Sequence, residues 1–317
     1  MVYKAQKLPN EVLSKTSSSW RDHMTISPSP LNALEWLHRL KRQATEHKGS
    51  AGKVLLIGGA PGMAGALLLA GKASLHLGAG WNILEMLDPA SAHALPEQAE
   101  LMIRCAAPSA AEVLTQSNPD VIAIGPGLGD SHLAKEYLTA SLRYPNIPLI
   151  IDADGLNLIA TDAKLLTLLK NRNHAFPGQS TLTPHPGEAG KLLTLSNQAV
   201  QANRLDAINK LVALTDSIVV LKGHESLIAD PTHTPLICKQ GNPGMGTGGM
   251  GDILTGAIAA IAAQGIRHHI NLWESTCIAV QLHATAADNL VQKQIGPIGL
   301  TPSEVILEMR ALLNKLV

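Results

Sequence analysis

The chain has 317 residues, and its 25 Lys and Arg are balanced by 25 Asp and Glu, so its formal charge at pH 7 is zero. A neutral chain has no long-range field to steer a polyanion, which argues against a nucleic-acid-binding protein. Hydrophobic residues make up 45% of the chain but aromatic residues only 3%, so a sizeable core must be built from small and aliphatic side chains.

The cysteines, Cys105, Cys238 and Cys277, are odd in number and widely spaced, which excludes a disulfide framework or a zinc ribbon built from them. The amino-terminal sequence MVYKAQKLPN lacks the apolar segment of a signal peptide. The longest apolar stretch, residues 253–263, is too short to span a bilayer. These features predict a cytoplasmic protein with no membrane partner.

Residues 1–28, which include SKTSSSW and Trp20, are predicted to form a polar arm. Ser29 and Pro30 then have the pattern of a helix cap followed by proline at the first helical position. Leucines recur after them at three-residue steps, at Leu31, Leu34, Leu37 and Leu40. The spacing predicts an amphipathic first helix.

Short apolar runs and longer Ala- and Leu-rich stretches alternate after this helix. The predicted strands are Val54–Ile57, Asn82–Leu87, Val121–Ile124, Leu149–Ile151 and Ile218–Leu221. The helical stretches between them include Ala64–Leu77, His132–Leu142 and Asp162–Leu169. Runs that are apolar without alternation are typical of strands covered on both faces. The pattern predicts an α/β fold with a mostly parallel central sheet and helices on both sides.

From Gly248 onward the chain is predicted to be helical almost to its end. The helical segments are Ile253–Ala263, Leu272–Leu290 and Pro302–Leu316. No linker-like stretch or internal repeat separates them from the strand-rich part. We therefore expect residues 29–317 to form one domain.

Residues 54–65, VLLIGGAPGMAG, are predicted to form a strand, a glycine turn and a helix start. In dinucleotide-binding folds this layout cradles phosphate, and an acid in the position of Glu85 holds the ribose. The glycines at 59, 62 and 65 depart from that motif's spacing, and Pro61 removes one N–H donor. A Rossmann site, simple tight packing and a substrate-lining turn of another α/β fold are all open at this point.

Two further segments follow strands at the carboxyl edge of the sheet, where open α/β folds bind ligands. Gly125–Gly129 contains three glycines, which fit either a tight turn or the close approach of a ligand. Asp152 and Asp154 follow the next strand. Asp154 either caps the following helix or lies near substrate or magnesium.

His185 lies between two prolines in the segment Thr183–Glu188. The prolines disfavour a helical backbone at this histidine and hold it rigidly. We interpret it as a ligand contact rather than a core residue. None of the 13 histidines occurs in HxH, HxxxH or HExxH spacing, so a zinc site is not predicted.

Gly241–Asp252, with the sequence GNPGMGTGGMGD, precedes an apolar helical run. Its glycines allow consecutive N–H groups to converge on an anion at a helix N-terminus. The predicted anion hole consists of Gly248, Gly249, Met250 and Gly251. Asp252, with an ordinary carboxyl pKa of about 4, is expected to be ionised and to act as the base for an attacking hydroxyl.

Lys222 comes directly after a predicted strand, and Leu227–Asp230 is expected to return as a short hairpin strand. A lysine at a sheet edge is often an ordinary surface residue. Next to a glycine-rich anion hole, however, Lys222 is predicted to hold phosphate oxygens as a point charge.

Together these segments resemble the NAD(P)H-hydrate dehydratases, a family of the ribokinase-like superfamily, over about residues 46–317. The matching pieces, in family order, are Lys48-Gly49, Gly58–Gly65, Gly125–Gly129, Asp152–Asn157, Thr183–Glu188, Val220–Gly223 and Gly241–Asp252. The resemblance implies a three-layer α/β/α sandwich of ribokinase-like fold. It also implies repair of NADHX and NADPHX, hydrated reduced cofactors, by phosphorylation of the added hydroxyl with ADP or ATP and elimination of phosphate.

The same resemblance implies roles for particular residues. Contacts to the hydrated nucleotide fall on Ala66, Gly129, His185 and Asp252, of which Asp252 is the catalytic residue. Contacts to the adenine nucleotide fall on Lys222, Gly223, His224, Glu225, Ser226 and Gly251. Mg²⁺ is expected together with ADP or ATP, and its ligands are left open.

The family commonly forms homotetramers, and the leucine stripe with Trp36 is a candidate interface, with packing on its own subunit as the alternative. About 45 residues precede the match, too few for the epimerase domain that many relatives carry, so the epimerase is expected to be a separate chain. Two other functions stay open. A ribokinase-like kinase for a vitamin precursor would accumulate a phosphoester, and a non-catalytic adenine-nucleotide sensor would bind ADP without needing Asp252.

Overall fold

The computed structural model describes residues 27–93 and 99–317. Trp20 and nearly all of the predicted arm lie outside these residues. The strands are β1 (Ser29–Pro30), β2 (Lys53–Gly58), β3 (Trp81–Met86), β4 (Met102–Cys105), β5 (Val121–Ile124), β6 (Leu149–Ile151), β7 (Ser180–Leu182), β8 (Ile218–Leu221), β9 (Ser226–Ala229) and β10 (Leu236–Cys238).

The first helices are α1 (Ala64–His76), α2 (Pro89–Ala92), α3 (Ala110–Ser117), α4 (His132–Arg143), α5 (Ala153–Thr161) and α6 (Ala163–Ala175). They are followed by α7 (Pro186–Leu193), α8 (Asn197–Ala202), α9 (Arg204–Thr215), α10 (Met250–His268), α11 (Leu272–Gln292) and α12 (Pro302–Leu316). Short 3₁₀ helices cover Leu34–Leu40 and Pro243–Gly246.

The strands form one sheet in the order β1-β10-β9-β8-β7-β6-β5-β2-β3-β4. Neighbouring strands pair in parallel except at β9, which is antiparallel to both β8 and β10. The hairpin return predicted after Lys222 is therefore confirmed as β9. Parallel pairing brings the carboxyl ends of β2, β5, β6, β7 and β8 to one edge of the sheet.

Two hydrophobic cores lie on opposite faces of the sheet. Val54 and Leu56 of β2 join a core with α1, α10, α11 and α12, whereas Leu55 and Ile57 join a core with α3 to α9. Successive side chains of a strand point to opposite faces, so a strand buried on both sides is apolar throughout. The predicted three-layer α/β/α sandwich is confirmed. Among the residues that the structure describes, no helix has both the length and the apolar character needed to cross a membrane.

The start of the described chain differs from the predicted first helix. Ser29 and Pro30 form β1, which pairs in parallel with Leu236 and Ile237, so the cap assigned to this dipeptide is wrong. Proline is tolerated here because β1 is an edge strand. The helix starts only at Leu34, as a 3₁₀ turn, and the side chain of Gln281 accepts the backbone N–H of Ala33 at 2.6 Å in place of a local cap.

The predicted leucine stripe packs inside the chain. Leu31, Leu37 and Leu40 are buried in the core shared with α10, α11 and α12, while Leu34 and Trp36 are partly buried against it. The alternative weighed for the stripe, packing on its own subunit, is therefore what the structure shows. An interface between subunits is not needed to cover these side chains.

Close packing of α1 against α10 depends on Gly256. A Cβ at this position would lie 2.1 Å from the carbonyl oxygen of Ala70. We expect Gly256→Ala to lower the free energy of unfolding by about 1–3 kcal/mol, because the helices must separate to admit the methyl group. Gly65→Ala is the matched control, since a Cβ there has open space and alanine favours a helix by up to about 1 kcal/mol.

The comparison requires urea unfolding of both variants and the parent protein. If Gly256→Ala and Gly65→Ala had the same free energy of unfolding, the tight contact between α1 and α10 would be contradicted.

Candidate active site

Two glycine turns interlock at the carboxyl edge of the sheet. The N–H groups of Gly59 and Ala60, after β2, donate to the carbonyls of Pro126 and Gly127, after β5, at 3.1 and 2.7 Å. A Cβ on Gly58 would lie 2.0 Å from the carbonyl oxygen of Pro126. These donors are therefore engaged by protein and are not free to cradle a dinucleotide phosphate, so the Rossmann interpretation is wrong for this turn.

Glu85 does not act as a ribose-binding acid either. Its side chain is buried, and its carboxylate lies 3.7 Å from the guanidinium of Arg104 on the neighbouring strand. Burial raises the pKa of Glu85, and the charge of Arg104 opposes that shift. Glu85 is thus a buried partner of the edge strand β4.

The second turn also contacts the residues that follow β6. The N–H of Gly129 donates to Asp154 Oδ2 at 2.9 Å, and Gly129 approaches Ala60 across the interlocked turns. Asp154 lies in the first turn of α5, whereas the N-cap position belongs to Asp152. The alternative that Asp154 caps this helix is therefore wrong, because its carboxylate is directed to the glycine turn instead.

Asp152 is fully buried and its side chain makes no cap bond within its own helix. Its Oδ1 accepts a hydrogen bond from Lys222 Nζ at 2.7 Å, and its Oδ2 accepts one from Thr255 Oγ1 at 2.8 Å. Burial by itself raises the pKa of Asp152, but the Lys222 ammonium and the hydrogen bonds outweigh burial and lower it. Both Asp152 and Lys222 are therefore charged at neutral pH.

The ammonium of Lys222 lies against the glycine-rich loop. A Cβ on Gly251 would be 3.1 Å from Lys222 Nζ, so no side chain fits there without displacing the ammonium. Burial lowers the pKa of Lys222, but the carboxylates of Asp152, Glu188 and Asp252 reverse that effect and raise it. The structure therefore places the charged Lys222 ammonium beside Gly251, a residue of the predicted anion hole.

The glycine-rich loop turns directly into α10. Asp288 of α11 holds its start by accepting the N–H of Gly241 and the side-chain amide of Asn242, both at 2.9 Å. Gly249 has a φ of 96°, a left-handed conformation that favours glycine, and α10 begins at Met250. Within the residues described, the N–H groups of Gly248, Gly249, Gly251 and Asp252 have no protein acceptor.

Three of the four residues in the predicted anion hole, Gly248, Gly249 and Gly251, therefore have N–H groups at a helix N-terminus without a protein acceptor in the described part of the chain. The N–H of Met250 is the exception, because it points to the carbonyl of Thr247 at 3.4 Å. Free N–H groups and the positive end of the helix dipole together favour a bound anion.

Asp252 lies in the first turn of α10, beside these donors. Burial, followed by the charges of Asp152 and Asp154, raises its pKa to about 6, while Lys222 opposes the shift. The expectation of an ordinary carboxyl pKa is wrong, because the sequence did not show that this carboxyl is buried and that other carboxylates converge on it. Asp252 is still mostly ionised at pH 7 and is a stronger base than a free aspartate.

His185 stands at the N-cap of α7. Its Nδ1 accepts the N–H of Gly187 at 2.9 Å, while Glu188 Oε2 accepts the backbone N–H of His185 at 2.7 Å. An Nδ1 that accepts carries no proton, so in the neutral ring the proton lies on Nε2. Burial, followed by the charge of Lys222, lowers the pKa of His185, and the ring is half-exposed. The sequence found the rigid sheet-edge histidine but not its capping role.

The predicted adenine-nucleotide residues form the turn between β8 and β9. Gly223 has a φ of 140°, and Ser226 Oγ donates to its carbonyl at 3.2 Å. Arg204 of α9 holds this turn by donating to the carbonyls of Leu221 and Lys222 at 3.0 and 3.3 Å. His224 and Glu225 are exposed in the same turn. The turn thus follows Lys222 directly, at the same sheet edge as the anion hole.

Sequence reasoning missed Thr255, Arg204 and Asp288, which hold the site's loops from other elements. Only Thr255 carried a usable signal, because it lies three residues after Asp252 on a predicted helix and hence on nearly the same face. Arg204 and Asp288 are remote in sequence from the turns that they bind.

The profile of a protein family described as NAD(P)H-hydrate dehydratase matches residues 54–309. The chain belongs to this family. The ribokinase-like fold expected of an NAD(P)H-hydrate dehydratase is confirmed by a solved ribokinase-like superfamily protein from Enterococcus faecalis V583. That structure is 27% identical with a TM-score of 0.70, and the match covers 89% of this chain and 95% of that one.

Two relatives of the NAD(P)H-hydrate dehydratase family differ in length. A bifunctional NAD(P)H-hydrate repair enzyme Nnr from Coxiella burnetii is 38% identical over 279 residues, 86% of this chain and 53% of that protein. An ADP-dependent (S)-NAD(P)H-hydrate dehydratase from Neisseria meningitidis serogroup B is 33% identical over 291 residues, 90% of this chain and 93% of that protein. The chain spans about half the length of the bifunctional relative and nearly all of the other.

The pKa of Glu188 provides a test of the electrostatics of the site. Burial is the main cause that raises the pKa of Glu188 from its ordinary value of 4.5 to about 7. The folded state therefore holds a proton that the unfolded state releases, and the stability it contributes below pH 4.5 is lost as pH rises through about 7. Glu188→Gln, which cannot ionise, should be more stable than the parent at pH 8 by on the order of 3 kcal/mol, because the pKa is raised by roughly 2.5 at about 1.4 kcal/mol per pKa unit.

At pH 5 the gap should shrink, because the parent carboxyl is then protonated in the fold. Urea unfolding at both pH values measures the difference in stability between Glu188→Gln and the parent. Glu112→Gln, on the exposed surface of α3, is the control. A Glu188→Gln gap that is the same at pH 5 and pH 8 would show that Glu188 titrates normally.

Proposed function

We propose that this protein is an ADP- or ATP-dependent dehydratase that returns NADHX and NADPHX to NADH and NADPH, with AMP or ADP and phosphate as the other products. The observation that carries the proposal is the N-terminus of α10. There, free N–H groups, the Lys222 ammonium against Gly251 and the Asp252 carboxylate lie together. Family membership and the ADP-dependent relative from Neisseria meningitidis support this choice of reaction.

In the first step, the added hydroxyl of the hydrate attacks the terminal phosphorus of the nucleotide. Asp252 accepts the hydroxyl proton, the bond from phosphorus to the bridging oxygen breaks, and AMP or ADP leaves with those electrons. The donors at Gly248, Gly249 and Gly251 face the charge that spreads over the phosphoryl oxygens. Lys222 is a fixed cation for the same oxygens.

In the second step, the new phosphate ester leaves the ring. The C–O bond breaks with its electrons going to phosphate, and the neighbouring carbon loses a proton to the departing phosphate, so the double bond of the reduced nicotinamide is restored. Phosphorylation assists this step because phosphate is a far better leaving group than hydroxide. The anion hole can hold the phosphate as it departs.

On the substrate side, we propose that Ala66, Gly129 and His185 contact the hydrated nucleotide. Support comes from their position: the interlocked turns bring Gly129 beside the start of α1, and His185 follows β7 at the same edge. Gly223, His224, Glu225 and Ser226 are proposed to contact the adenine nucleotide from the β8–β9 turn. His185 Nδ1 is engaged by its own helix and Nε2 lies 3.3 Å from Glu188 Oε1, so the half-exposed ring presents its carbon edge to a substrate.

Magnesium is proposed to arrive with the nucleotide. In residues 27–93 and 99–317, no three His, Cys, Asp or Glu side chains lie together as a metal site. Mg²⁺ is usually held by substrate phosphates and one or two carboxylates rather than by a protein cage. The ion would neutralise charge on the phosphates, while the residues described above position and deprotonate the hydroxyl.

A homotetramer and a cytoplasmic location stay predictions that rest on the family resemblance and on composition. The cysteines Cys105, Cys238 and Cys277 are free in the structure, which supports a reducing compartment.

In the direct test, purified protein is incubated with NADHX, magnesium and either ADP or ATP. We expect the near-ultraviolet absorbance of reduced nicotinamide to return, with one inorganic phosphate released per turnover. A stable phosphoester without phosphate release would identify a small-molecule kinase instead. Nucleotide binding without any turnover of NADHX would favour an adenine-nucleotide sensor.

Asp252→Asn tests the base. We expect turnover to fall by about 10² to 10⁴ while the nucleotide Kd changes little, because an amide cannot accept the hydroxyl proton. In the parent, turnover should decline as pH falls through about 6, where Asp252 becomes protonated. Asp216→Asn, an exposed residue at the opposite end of β8, is the matched control; turnover of Asp252→Asn within a few-fold of this control would remove Asp252 from the base role.

A further inference from the structure

Asp152 borders the proposed site from the protein interior, since a Cβ on Gly251 would lie 3.6 Å from its Oδ2. Only 1% of the residue is exposed, and its two carboxylate oxygens are taken by Lys222 and Thr255. A carboxylate in this position is a poor candidate for contact with substrate. Its function must therefore be sought in the residues that it holds.

Three separate elements converge on this one side chain. Asp152 follows β6, Lys222 follows β8 seventy residues later, and Thr255 lies in α10, 103 residues away. Thr255 is one turn beyond Asp252 on the same helix. The hydrogen bonds of Asp152 thus fix the distance between the Lys222 ammonium and the α10 N-terminus.

We propose that Asp152 is the positioning residue that holds the Lys222 ammonium against Gly251, and so aims this cation at the terminal phosphate of the nucleotide. The inference rests on the proposed function, in which Lys222 binds phosphate. Without Asp152, a flexible lysine side chain has several rotamers and no other carboxylate in hydrogen-bond contact among the described residues. The negative charge also keeps the ammonium protonated in a buried environment.

The charge of Asp152 reaches Asp252 as well. Four charged groups from neighbouring elements bear on this part of the site: Asp152, Asp154, Glu188 and Lys222. Of these, Asp152 and Asp154 raise the pKa of Asp252 and Lys222 lowers it, after the larger effect of burial. Neutralising Asp152 should therefore move the pH at which Asp252 is protonated downward.

The test compares Asp152→Asn with two threonine variants. Asp152→Asn removes the charge and keeps the shape. Thr255→Val removes one hydrogen bond to Asp152 and keeps the charge. Thr276→Val is the matched control, because it also removes a buried threonine hydroxyl. The Thr276 hydroxyl forms a hydrogen bond with Thr181 at 3.1 Å and not with Asp152.

We expect Asp152→Asn to raise the ADP Kd, measured by calorimetry, about tenfold or more, and to lower turnover by about 10²-fold, the usual cost of a misplaced group. The acid limb of the turnover profile should shift to lower pH. Thr255→Val should weaken ADP binding less and leave the acid limb in place, and Thr276→Val should match the parent.

The double variant Asp152→Asn with Lys222→Met separates positioning from stability. Removing both charges should restore urea stability lost in the single variant, because no unpaired ion is left buried. ADP affinity should stay low, since the cation is absent. Recovery of ADP affinity in the double variant, or an unchanged Kd in Asp152→Asn, would overturn the proposal.

The outcomes also separate this proposal from the proposed function. If the parent fails to convert NADHX but Asp152→Asn weakens ADP binding, positioning stands and the dehydratase assignment falls. If the parent converts NADHX and Asp152→Asn binds ADP like the parent, only the positioning role falls.

Discussion

The ion pair between Asp152 and Lys222 is the interaction on which the site depends. Asp152 is fully buried at the carboxyl edge of the sheet and the Lys222 side chain is only 19% exposed, and the desolvation of these two charges is offset only by a short contact and by additional hydrogen bonds. Thr255 supplies one of these, so α10 must dock on the sheet for the pair to be satisfied. The site is consequently complete only when β6, β8 and α10 have all reached their final positions.

The same pair sets the electrostatic character of the edge. One ammonium stands among Asp152, Asp154, Glu188 and Asp252, and the carboxylates of Glu188 and Asp252 hold protons more tightly than free side chains. A group of like charges is unfavourable for folding and is retained where chemistry needs a base near neutral pH. The free N–H donors of the α10 turn supply positive potential without adding a second titrating cation.

Sequence patterns predicted the layers of this fold well, because strands that are buried on both faces are apolar throughout. The runs at Val121–Ile124, Leu149–Ile151 and Ile218–Leu221 coincide with β5, β6 and β8. The short strands β1, β4 and β10, which lie at the sheet edges or next to one, were missed, since strands of two to four residues with mostly exposed or partly exposed side chains carry little periodicity. Ser29-Pro30 was assigned to a helix because a cap motif is local, whereas its pairing with β10 is not.

For the site, glycine patterns identified the turns and the anion hole, but not the partners of the charged side chains. Asp154 had the local pattern of a cap, yet its carboxylate binds Gly129, 25 residues earlier. The raised pKa of Asp252 depends first on its burial and then on Asp152 and Asp154, which follow β6 and which only the tertiary fold brings near α10. Long-range contacts of this kind leave no trace in the spacing of one segment.

The interlocked glycine turns have a consequence for how such chains diverge. At Gly58 and Gly125, an added Cβ would lie 2.0 and 1.8 Å from carbonyl oxygens of Pro126 and Asp152, so neither position accepts a side chain unless the opposing backbone moves. Ligand-contacting side chains can be exchanged one at a time, whereas these contacts join backbone to backbone. We therefore expect both glycines to be retained in related chains that bind a different substrate. Their spacing should identify this sheet edge even in chains that have lost the catalytic activity.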